Sequence, residues 1–476
     1  MKIALVSLPN SKRETPSLEI AYLASNLIKE GHNVSRFEFN LKFINKEWVD
    51  YTNKINKDFH SNIDNILRNL KEEKYSKLNK YIKHCGLTIL KSKPDAVEFT
   101  FNIFNWTLTL LVARFIKKMN KDTIIIFDGT NTLAINEQST SYLKNKWVDY
   151  IIWIDADQKV PKLLNKIKNI ETINIPGILY NQNQKIIYTR EDKLIENIDN
   201  FKFPLFRKED IKNSKYPEML PIITSRGCSG SCSFCTYSKS YKKFRSRTPE
   251  NILSELKYNI KEYGITKFRF NDSMINTDHE SLKKLCKLII KEKISIKWGG
   301  CVKANKKLDN HLLNLMYNAG CRYLFFGAES GSNKVLKHMN KQITTEILEQ
   351  NIINAHKNHI WGHLYFIVGY PTETEKDFLK TINFIINNKN YISSLRFKSF
   401  FLNEDADIYN KYNVKSINPA IGEKRLKYME EIFGYDSTIS FSKGKHTQNL
   451  FNEKQKKHKI KININNYKKI NNFLKR

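Results

Sequence analysis

Short apolar runs alternate with segments of helical hydrophobic spacing through the first 175 residues. Residues 2–8 have the pattern of a buried strand, and Leu18–Lys29 carries apolar residues at helical spacing until Gly31 ends it. Further strands are predicted at 33–39, 95–101, 123–127, 150–154 and 171–175, with a helix at 108–119 and a polar helical insert at about 44–90. This βα alternation predicts an α/β domain with a doubly wound parallel sheet.

A second series of apolar runs begins near residue 220. Strands are predicted at 220–224, 267–270, 296–298, 323–326 and 364–368, and each is followed by polar or glycine-rich residues. Between the first two, Thr248 is a predicted helix N-cap with Pro249 at the first helical position. Repeated βα units predict a partial (β/α) barrel of the TIM type, and barrel enzymes place their chemistry at the carboxyl ends of the strands.

The charge of the chain is strongly positive. Its 476 residues include 80 Lys and Arg against 48 Asp and Glu, a formal net charge of +32. Lysine, asparagine and isoleucine are abundant throughout, a bias expected of an AT-rich genome, whereas attraction to RNA is the functional alternative. Residues 443–476 carry eleven Lys and Arg with Glu453 as the single acidic residue, a pattern typical of a solvated end. Nucleic-acid binding is therefore possible but not the favoured interpretation.

The same composition indicates a cellular location. No apolar run approaches the roughly 18 residues that a membrane span needs, and the apolar N-terminus is too short for a signal peptide. The chain has 7 cysteines without the spacing of a disulfide framework. We expect a cytoplasmic protein without a membrane span.

The most specific chemical signal is a loop with three cysteines. Cys228, Cys232 and Cys235 form a CxxxCxxC array, with Phe234 directly before the last of them. Thiolates are soft ligands for iron, and four of them normally complete a 4Fe-4S cluster, so three leave one iron open. Structural zinc is the competing interpretation, but it uses four protein ligands. The other cysteines lie at 85, 286, 301 and 321, without a second close pair.

Three downstream motifs accompany this array. Gly-Ala-Glu-Ser-Gly-Ser at 327–332 follows a predicted strand, and Gly-Tyr-Pro-Thr-Glu-Thr at 369–374 follows the next one. Asn271-Asp272 ends the second strand of the series. Together with the cysteine array, these motifs resemble the radical S-adenosylmethionine (SAM) enzymes over about residues 216–400. Thr372 departs from that family's pattern, which usually has glycine there.

The resemblance implies a cofactor set and its ligands. In radical SAM enzymes the open iron binds the amino and carboxylate groups of SAM, and reductive cleavage of SAM yields a 5′-deoxyadenosyl radical that takes a hydrogen atom from the substrate. The resemblance thus implies a 4Fe-4S cluster on the three cysteines, SAM, and an external electron donor such as flavodoxin or ferredoxin. The residues it implies in cofactor binding are Phe234, Asp272, Glu329, Ser330, Gly369 and Pro371.

The first half of the chain resembles the cobalamin-binding-type domain that is fused to many radical SAM enzymes. The resemblance rests on the segment 16–24, Gly-His-Asn-Val at 31–34, Asp-Gly-Thr-Asn at 128–131 and Val-Asp-Tyr at 148–150. It implies a cobalamin site that includes Asp128 and Gly129. Asp128 stands where the family usually has glycine, and the Gly-Glu-Gly that usually follows Val-Asp-Tyr is absent.

These observations combine into one functional hypothesis. We expect a cobalamin-binding-like domain at 1–190, a linker at 191–215, a radical SAM barrel at 216–400 and a C-terminal extension with a basic tail at 401–476. The expected reaction is methylation of an unactivated carbon on a small-molecule or peptide substrate. The alternatives are a cobalamin-independent radical SAM enzyme for rearrangement, cyclisation or thioether chemistry, an RNA-modifying radical SAM enzyme, and a non-enzymatic metal-binding interaction protein.

Overall fold

The structure is a computed structural model of the chain. It describes residues 1–9, 15–39, 75–101, 105–129, 142–189, 194–237, 241, 243–402, 406–411 and 419–433. The chain divides into two compact units, Met1–Pro217 and Glu218–Arg476, and each is described by itself. The finer domain boundaries expected from the sequence remain predictions.

The first unit is built on a seven-stranded sheet in the order β2-β1-β3-β4-β5-β6-β7. Its strands are β1 (Lys2–Ser7), β2 (Asn33–Glu38), β3 (Ala96–Thr100), β4 (Ile124–Asp128), β5 (Tyr150–Ile152), β6 (Ile178–Gln182) and β7 (Lys185–Thr189). The first five strands pair in parallel, at the positions that the hydrophobic pattern predicts. The α/β fold class is confirmed.

One edge of this sheet differs from the prediction. Residues 171–175 form no strand, and an antiparallel hairpin of β6 and β7 pairs with β5 instead. Asn183 and Gln184 at the hairpin turn have φ of 49° and 66°, the left-handed geometry of a type I′ turn. Thr189 Oγ1 donates to Ile175 O at 2.6 Å, so a side chain satisfies the backbone where a strand was expected. The prediction of a strand at 171–175 was wrong, and the sheet is mixed.

Helices cover both faces of the first sheet. They are α1 (Leu18–Lys29), α2 (Ser76–Leu90), α3 (Trp106–Met119), α4 (Ala156–Lys168), the short α5 (Lys208–Lys212) and a 3₁₀ turn at Ile198–Asn200. Ile3 and Leu5 of β1 pack in one apolar cluster with α1 and α4, whereas Ala4 and Val6 pack in another with α2 and α3. This arrangement is doubly wound, as predicted. Most of the predicted helical insert lies outside the described residues.

The second unit is built on a six-stranded sheet in the order β15-β14-β13-β12-β11-β8, in which all neighbours are parallel. Its strands are β8 (Met219–Ile222), β11 (Lys267–Phe270), β12 (Lys297–Val302), β13 (Cys321–Glu329), β14 (Trp361–Val368) and β15 (Ser394–Ser399), and a separate antiparallel pair is formed by β9 (Ser225–Arg226) and β10 (Arg245–Ser246). This is the predicted partial barrel. β15 was not predicted, although its apolar and polar residues alternate.

The helices of the second unit connect these strands. They are α6 (Pro249–Tyr263), α7 (His279–Lys291), α8 (Asn310–Asn318), α9 (Asn333–His338), α10 (Thr345–Lys357), α11 (Glu375–Asn388), α12 (Asp407–Lys411) and α13 (Pro419–Phe433). Thr248 Oγ1 accepts from Asn251 N at 3.3 Å and Pro249 opens α6, so the predicted N-cap is confirmed. Within the described residues, no helix is long and apolar enough to cross a membrane.

A buried ion pair joins α6 to the strand that precedes it. Arg247 binds Glu255, with side chains that are 5% and 0% exposed. Arg247 also donates to Ile223 O at 2.8 Å, directly after β8. The end of β8 is therefore fixed to the first turns of α6.

The core of the second unit yields a stability prediction. Trp298 is fully buried, stacks on Phe270 with ring centroids 4.8 Å apart, and donates from Nε1 to Ala319 O at 2.8 Å. We expect Trp298→Ala to lower the free energy of unfolding by about 3–5 kcal/mol, because it leaves a cavity and an unpaired carbonyl. Ile170→Ala, at a side chain that is 95% exposed, should change it by less than about 0.5 kcal/mol. Urea unfolding of both variants measures the difference, and equal losses would contradict this account.

Candidate functional site

The three cysteines lie on one loop, residues 227–235, which we name the cysteine loop. It follows β8 and β9 at the carboxyl end of the second sheet. All three thiols are partly exposed, and none of the seven cysteines, all of which the structure describes, is in a disulfide. Gly227 has φ 89°, and a Cβ there would lie 2.5 Å from Lys243 O, so only glycine fits at the start of the loop.

Two of the three thiols flank a glycine of the loop. A Cβ on Gly230 would lie 3.3 Å from Cys228 Sγ and 3.9 Å from Cys232 Sγ, so these two sulfurs flank a position without a side chain. Among the described residues, no three His, Cys, Asp or Glu side chains converge as ligands of one metal ion. In a cubane each thiolate binds a different iron, which requires three sulfurs around a shared space and not around a shared point.

Hydrogen bonds fix the cysteine loop to the loop after α9. Asn340 Nδ2 donates to Ser231 O and to Ser231 Oγ, both at 2.9 Å. Ser233 N donates to Met339 O at 2.9 Å, and Ser233 Oγ lies 2.9 Å from Tyr370 Oη. Asn340 adopts φ 50°, which an asparagine tolerates better than most residues. The positions between the cysteines are thus held by the loop after α9 and by Tyr370, which follows β14.

Asp272 holds the entry to the cysteine loop. It is 5% exposed and accepts from Thr224 N at 3.1 Å, from Thr224 Oγ1 at 2.9 Å and from Ser225 Oγ at 2.5 Å. Burial raises the pKa of Asp272, while the hydrogen bonds from Ser225 and Thr224 act to lower it. In the structure this carboxylate fixes the backbone at residues 224 and 225. Its expected contact with a cofactor remains a prediction.

Glu329 ends β13 in an unusual backbone conformation. Its φ is 59°, and the pairing of β13 with β14 shifts register between Gly327 and Glu329. Glu329 Oε1 binds Lys341 Nζ at 2.7 Å, with side chains that are 11% and 13% exposed. A Cβ on Gly327 would lie 2.6 Å from Glu329 Oε1 and 2.7 Å from Lys341 Nζ, so glycine at 327 makes room for this pair.

Lys341 connects Glu329 to the cysteine loop. Its Nζ lies 6.0 Å from the centroid of the Phe234 ring, close enough for a cation–π contact. Burial opposes its charge, but Glu329 and the thiols of Cys232 and Cys235 outweigh burial and raise the pKa of Lys341. The structure therefore brings Glu329, Phe234 and the cysteines together. Sequence reasoning missed Lys341, because one lysine among many in a basic chain carries no distinguishing signal.

Ser330 lies beside this group but faces away from solvent. It is fully buried, its Oγ lies 3.3 Å from Thr381 Oγ1, and it accepts from Ser332 N at 3.1 Å. These contacts close the turn between β13 and α9. The contact of Ser330 with SAM remains a prediction.

The turn that contains Gly369 and Pro371 is braced by a second buried ion pair. Gly369 has φ 75°, and a Cβ there would lie 2.4 Å from Gly422 Cα. Gly369 N donates to Glu373 Oε2 at 2.7 Å, and Arg425 binds the same oxygen at 2.7 Å. Burial raises the pKa of Glu373 to about 7, although Arg425 acts to lower it. The N-cap of α11 is Thr374, in a capping box with Asp377.

Asp128 and Gly129 end β4 in the first unit. Asp128 is 5% exposed, and Gly129 has φ 117° with its Cβ position 2.3 Å from Phe101 O. Only glycine lets the chain leave β4 so close to the end of β3. The loops that continue from β1, β3 and β4 at this edge, residues 10–14, 102–104 and 130–141, lie outside the described residues.

Comparison with known proteins agrees with this geometry. Residues 222–385 match the family model of the radical SAM superfamily. An uncharacterized methyltransferase of Pyrococcus horikoshii is 26% identical over 396 residues, which span 81% of this chain and 77% of that protein. The central part of the chain is therefore a radical SAM domain.

Two solved structures share the fold. TsrM of Kitasatospora setae, a radical SAM methyltransferase solved with cobalamin and a 4Fe-4S cluster, has a TM-score of 0.63 at 14% identity, over 86% of this chain and 73% of that chain. OxsB, a cobalamin-dependent SAM radical enzyme solved with aqua-cobalamin and SAM, has a TM-score of 0.62 at 17% identity, over 90% of this chain and 55% of that chain. Both resemblances noted in the sequence are thus confirmed at the level of fold.

The Glu329–Lys341 pair yields a second prediction. Lys341→Met should lower the free energy of unfolding by about 3–5 kcal/mol, because it leaves a mostly buried carboxylate without its counterion. The double variant Glu329→Gln/Lys341→Met should recover most of that loss. Lys257→Met, which removes the exposed partner of Glu292, should cost less than about 1 kcal/mol. Urea unfolding under anaerobic conditions measures all three, and similar losses in the two single variants would refute the role of burial.

Proposed function

We propose that this chain, which carries a radical SAM domain, is a cobalamin-dependent methyltransferase that acts on an unactivated carbon. The observation that carries the proposal is the cysteine loop. Its three thiols are partly exposed, two of them flank a position without a side chain, and neighbouring segments hold the loop in place. Three thiolates leave a cluster with an open coordination position, which is what SAM requires.

In this proposal some residues of the site bind the cofactors, and others orient the binding residues. When bound, the 4Fe-4S cluster supplies the electron that cleaves SAM, and cobalamin supplies the methyl carrier. Cys228, Cys232 and Cys235 hold the cluster. We assign to Glu329 the acceptance of hydrogen bonds from the amino group or ribose hydroxyls of SAM, because a carboxylate is an acceptor and both groups are donors. Lys341, which also lies over the ring of Phe234, fixes the position of that carboxylate.

The remaining assignments rest on similarity. We assign cobalamin to the first unit, at the edge where Gly129 ends β4, because TsrM and OxsB hold cobalamin in proteins of the same fold. We further assign the cytoplasm as the location, an electron donor such as flavodoxin or ferredoxin, and a small-molecule substrate. Ser330, Gly369 and Pro371 complete the proposed SAM site.

Reconstitution tests this function directly. The full chain is purified anaerobically, reconstituted with iron, sulfide and hydroxocobalamin, and analysed for bound metal and corrinoid. We expect about four iron atoms per chain together with a bound corrinoid, and we expect 5′-deoxyadenosine when a reductant and SAM are added. Cys232→Ala should lose both the iron and the SAM cleavage.

Cys286→Ala is the matched control, because Cys286 is fully buried within α7 and away from the cysteine loop. It should keep the iron content of the unaltered chain. Zinc in place of iron, or equal iron loss in both variants, would refute the cluster assignment.

A cobalamin-independent radical SAM enzyme is the second candidate. It is favoured by Asp128, a nearly buried carboxylate where the cobalamin-binding pattern has glycine. Iron and SAM cleavage without any bound corrinoid would support this second candidate and exclude the methyltransferase.

A further inference from the structure

Four side chains form a continuous row across one face of the second sheet. Arg269 of β11 lies over the Phe325 ring of β13, with its Cζ 5.5 Å from the ring centroid. Phe325 stacks on Tyr365 of β14, with centroids 5.8 Å apart and planes at 18°. Arg396 of β15 lies over Tyr365, with its Cζ 6.0 Å from the centroid. We name these four residues the arginine–aromatic row.

The row lies next to the proposed SAM site. Side chains two residues apart on a strand share a face, so Gly327 lies on the face of Phe325. The Cβ position of Gly327 is within 2.7 Å of both Glu329 Oε1 and Lys341 Nζ. The row therefore lies on the face that leads to the Glu329–Lys341 pair, with Phe325, Tyr365 and Arg396 three or four residues before the carboxyl ends of their strands. In barrel enzymes this is the end that binds substrate.

Arg396 differs from three other buried or partly buried cations of this unit, which each bind a carboxylate. Arg247 binds Glu255, Lys341 binds Glu329 and Arg425 binds Glu373, so these three mostly buried cations each have a carboxylate. Arg396 is partly buried, and among the described residues no carboxylate pairs with it. Its Nε is buried and has no hydrogen-bond partner within the described part of the chain. A buried donor without an acceptor costs free energy that an anionic ligand would recover.

Tyr365 adds a second donor beside Arg396. Burial raises the pKa of Tyr365 to about 12, so its hydroxyl keeps its proton at neutral pH. Arg396, whose Cζ lies 6.0 Å from the centroid of the Tyr365 ring, acts against burial to lower that pKa, and the protonated hydroxyl can donate to an acceptor beside the guanidinium. A planar guanidinium next to a phenol is a suitable pair of donors for an oxyanion.

We infer that the arginine–aromatic row binds a carboxylate or phosphate group of the substrate, and that the substrate is accordingly an anionic small molecule. This inference rests on the proposed function, because it takes the face beside the SAM site as the place where the substrate lies. The anion binds Arg396 and Tyr365, with Arg269 adding positive potential from the other end of the row. Specificity for the charged group thus comes from β14 and β15, and not from the cysteine loop.

Binding of defined probes tests the inference. The reconstituted full chain is titrated with 1-naphthyl phosphate, with 1-naphthoate and with the uncharged 1-naphthalenemethanol, and fluorescence reports binding. We expect at least one of the two anions to bind and the alcohol to bind more weakly; the anion that binds identifies phosphate or carboxylate as the group. Arg396→Met should weaken that anion by about tenfold or more, since a hydrogen bond to a charged group is lost.

Arg114→Met is the matched control. Arg114 also lies over an aromatic ring, that of Trp147 at 5.7 Å, but it belongs to the first unit. This variant should bind the anion as the unaltered chain does. Equal binding of anion and alcohol, no binding of either anion, or an equal effect of both variants would overturn the inference. It would also be overturned if Arg396→Met lost SAM binding and kept the anion.

Chemical protection tests the site without any substitution. Phenylglyoxal modifies arginine, and mass spectrometry locates the modified residues in the unaltered chain. The bound anion should protect Arg396 and leave Arg114 unprotected; the reverse result would contradict the inference. Iron content and SAM cleavage are measured on the same preparation, so failure of the proposed function is recognised separately from failure of anion binding.

Discussion

The cysteine loop depends on hydrogen bonds that other segments supply. A loop of three thiols with serine and glycine between them cannot hold a shape by its own packing, since few of its side chains are apolar. Asp272 fixes the backbone that enters it, and Asn340 fixes Ser231 between the first two cysteines. Asp272 follows the carboxyl end of β11, and Asn340 follows α9, which itself follows β13. The order of the strands in the parallel sheet therefore determines where the cysteine loop is held. The residues that position the cysteine loop thus lie at the end of the sheet where barrel enzymes place their chemistry.

Buried ion pairs also hold the elements of the second unit together. Each pair joins elements that are distant in sequence: Arg425 of α13 reaches Glu373 after β14, and Lys341 after α9 reaches Glu329 of β13. Removing one partner of such a pair is destabilising, because the other charge is left buried without its counterion. Arg396 is informative against this background, because it occupies the same face as the proposed SAM site without a carboxylate. Arg247, Lys341 and Arg425 each bind a carboxylate, whereas among the described residues Arg396 does not, and for this reason we infer that it binds an anionic ligand.

The sequence predicted the parts of the fold that hydrophobic period and local motifs determine. β1, α1 and the Thr248 N-cap follow directly from spacing and capping preferences. The β6–β7 hairpin was missed because its turn uses Asn183 and Gln184, and not a residue pair that marks a turn strongly. For the site, the cysteines and Glu329 stand in recognisable motifs. No motif marks Lys341, Arg425 and Arg396. Their roles depend on contacts with residues that are distant in the sequence, and a single sequence does not show such contacts.

The central claim is that three thiols hold an iron–sulfur cluster with one open position for SAM. Electron paramagnetic resonance of the dithionite-reduced, reconstituted chain, recorded before and after addition of SAM, tests this claim most directly. The account predicts the signal of a reduced 4Fe-4S cluster whose line shape changes when SAM is added, because SAM becomes a ligand of the open iron. Absence of a cluster signal, or a signal that SAM leaves unchanged, would contradict it.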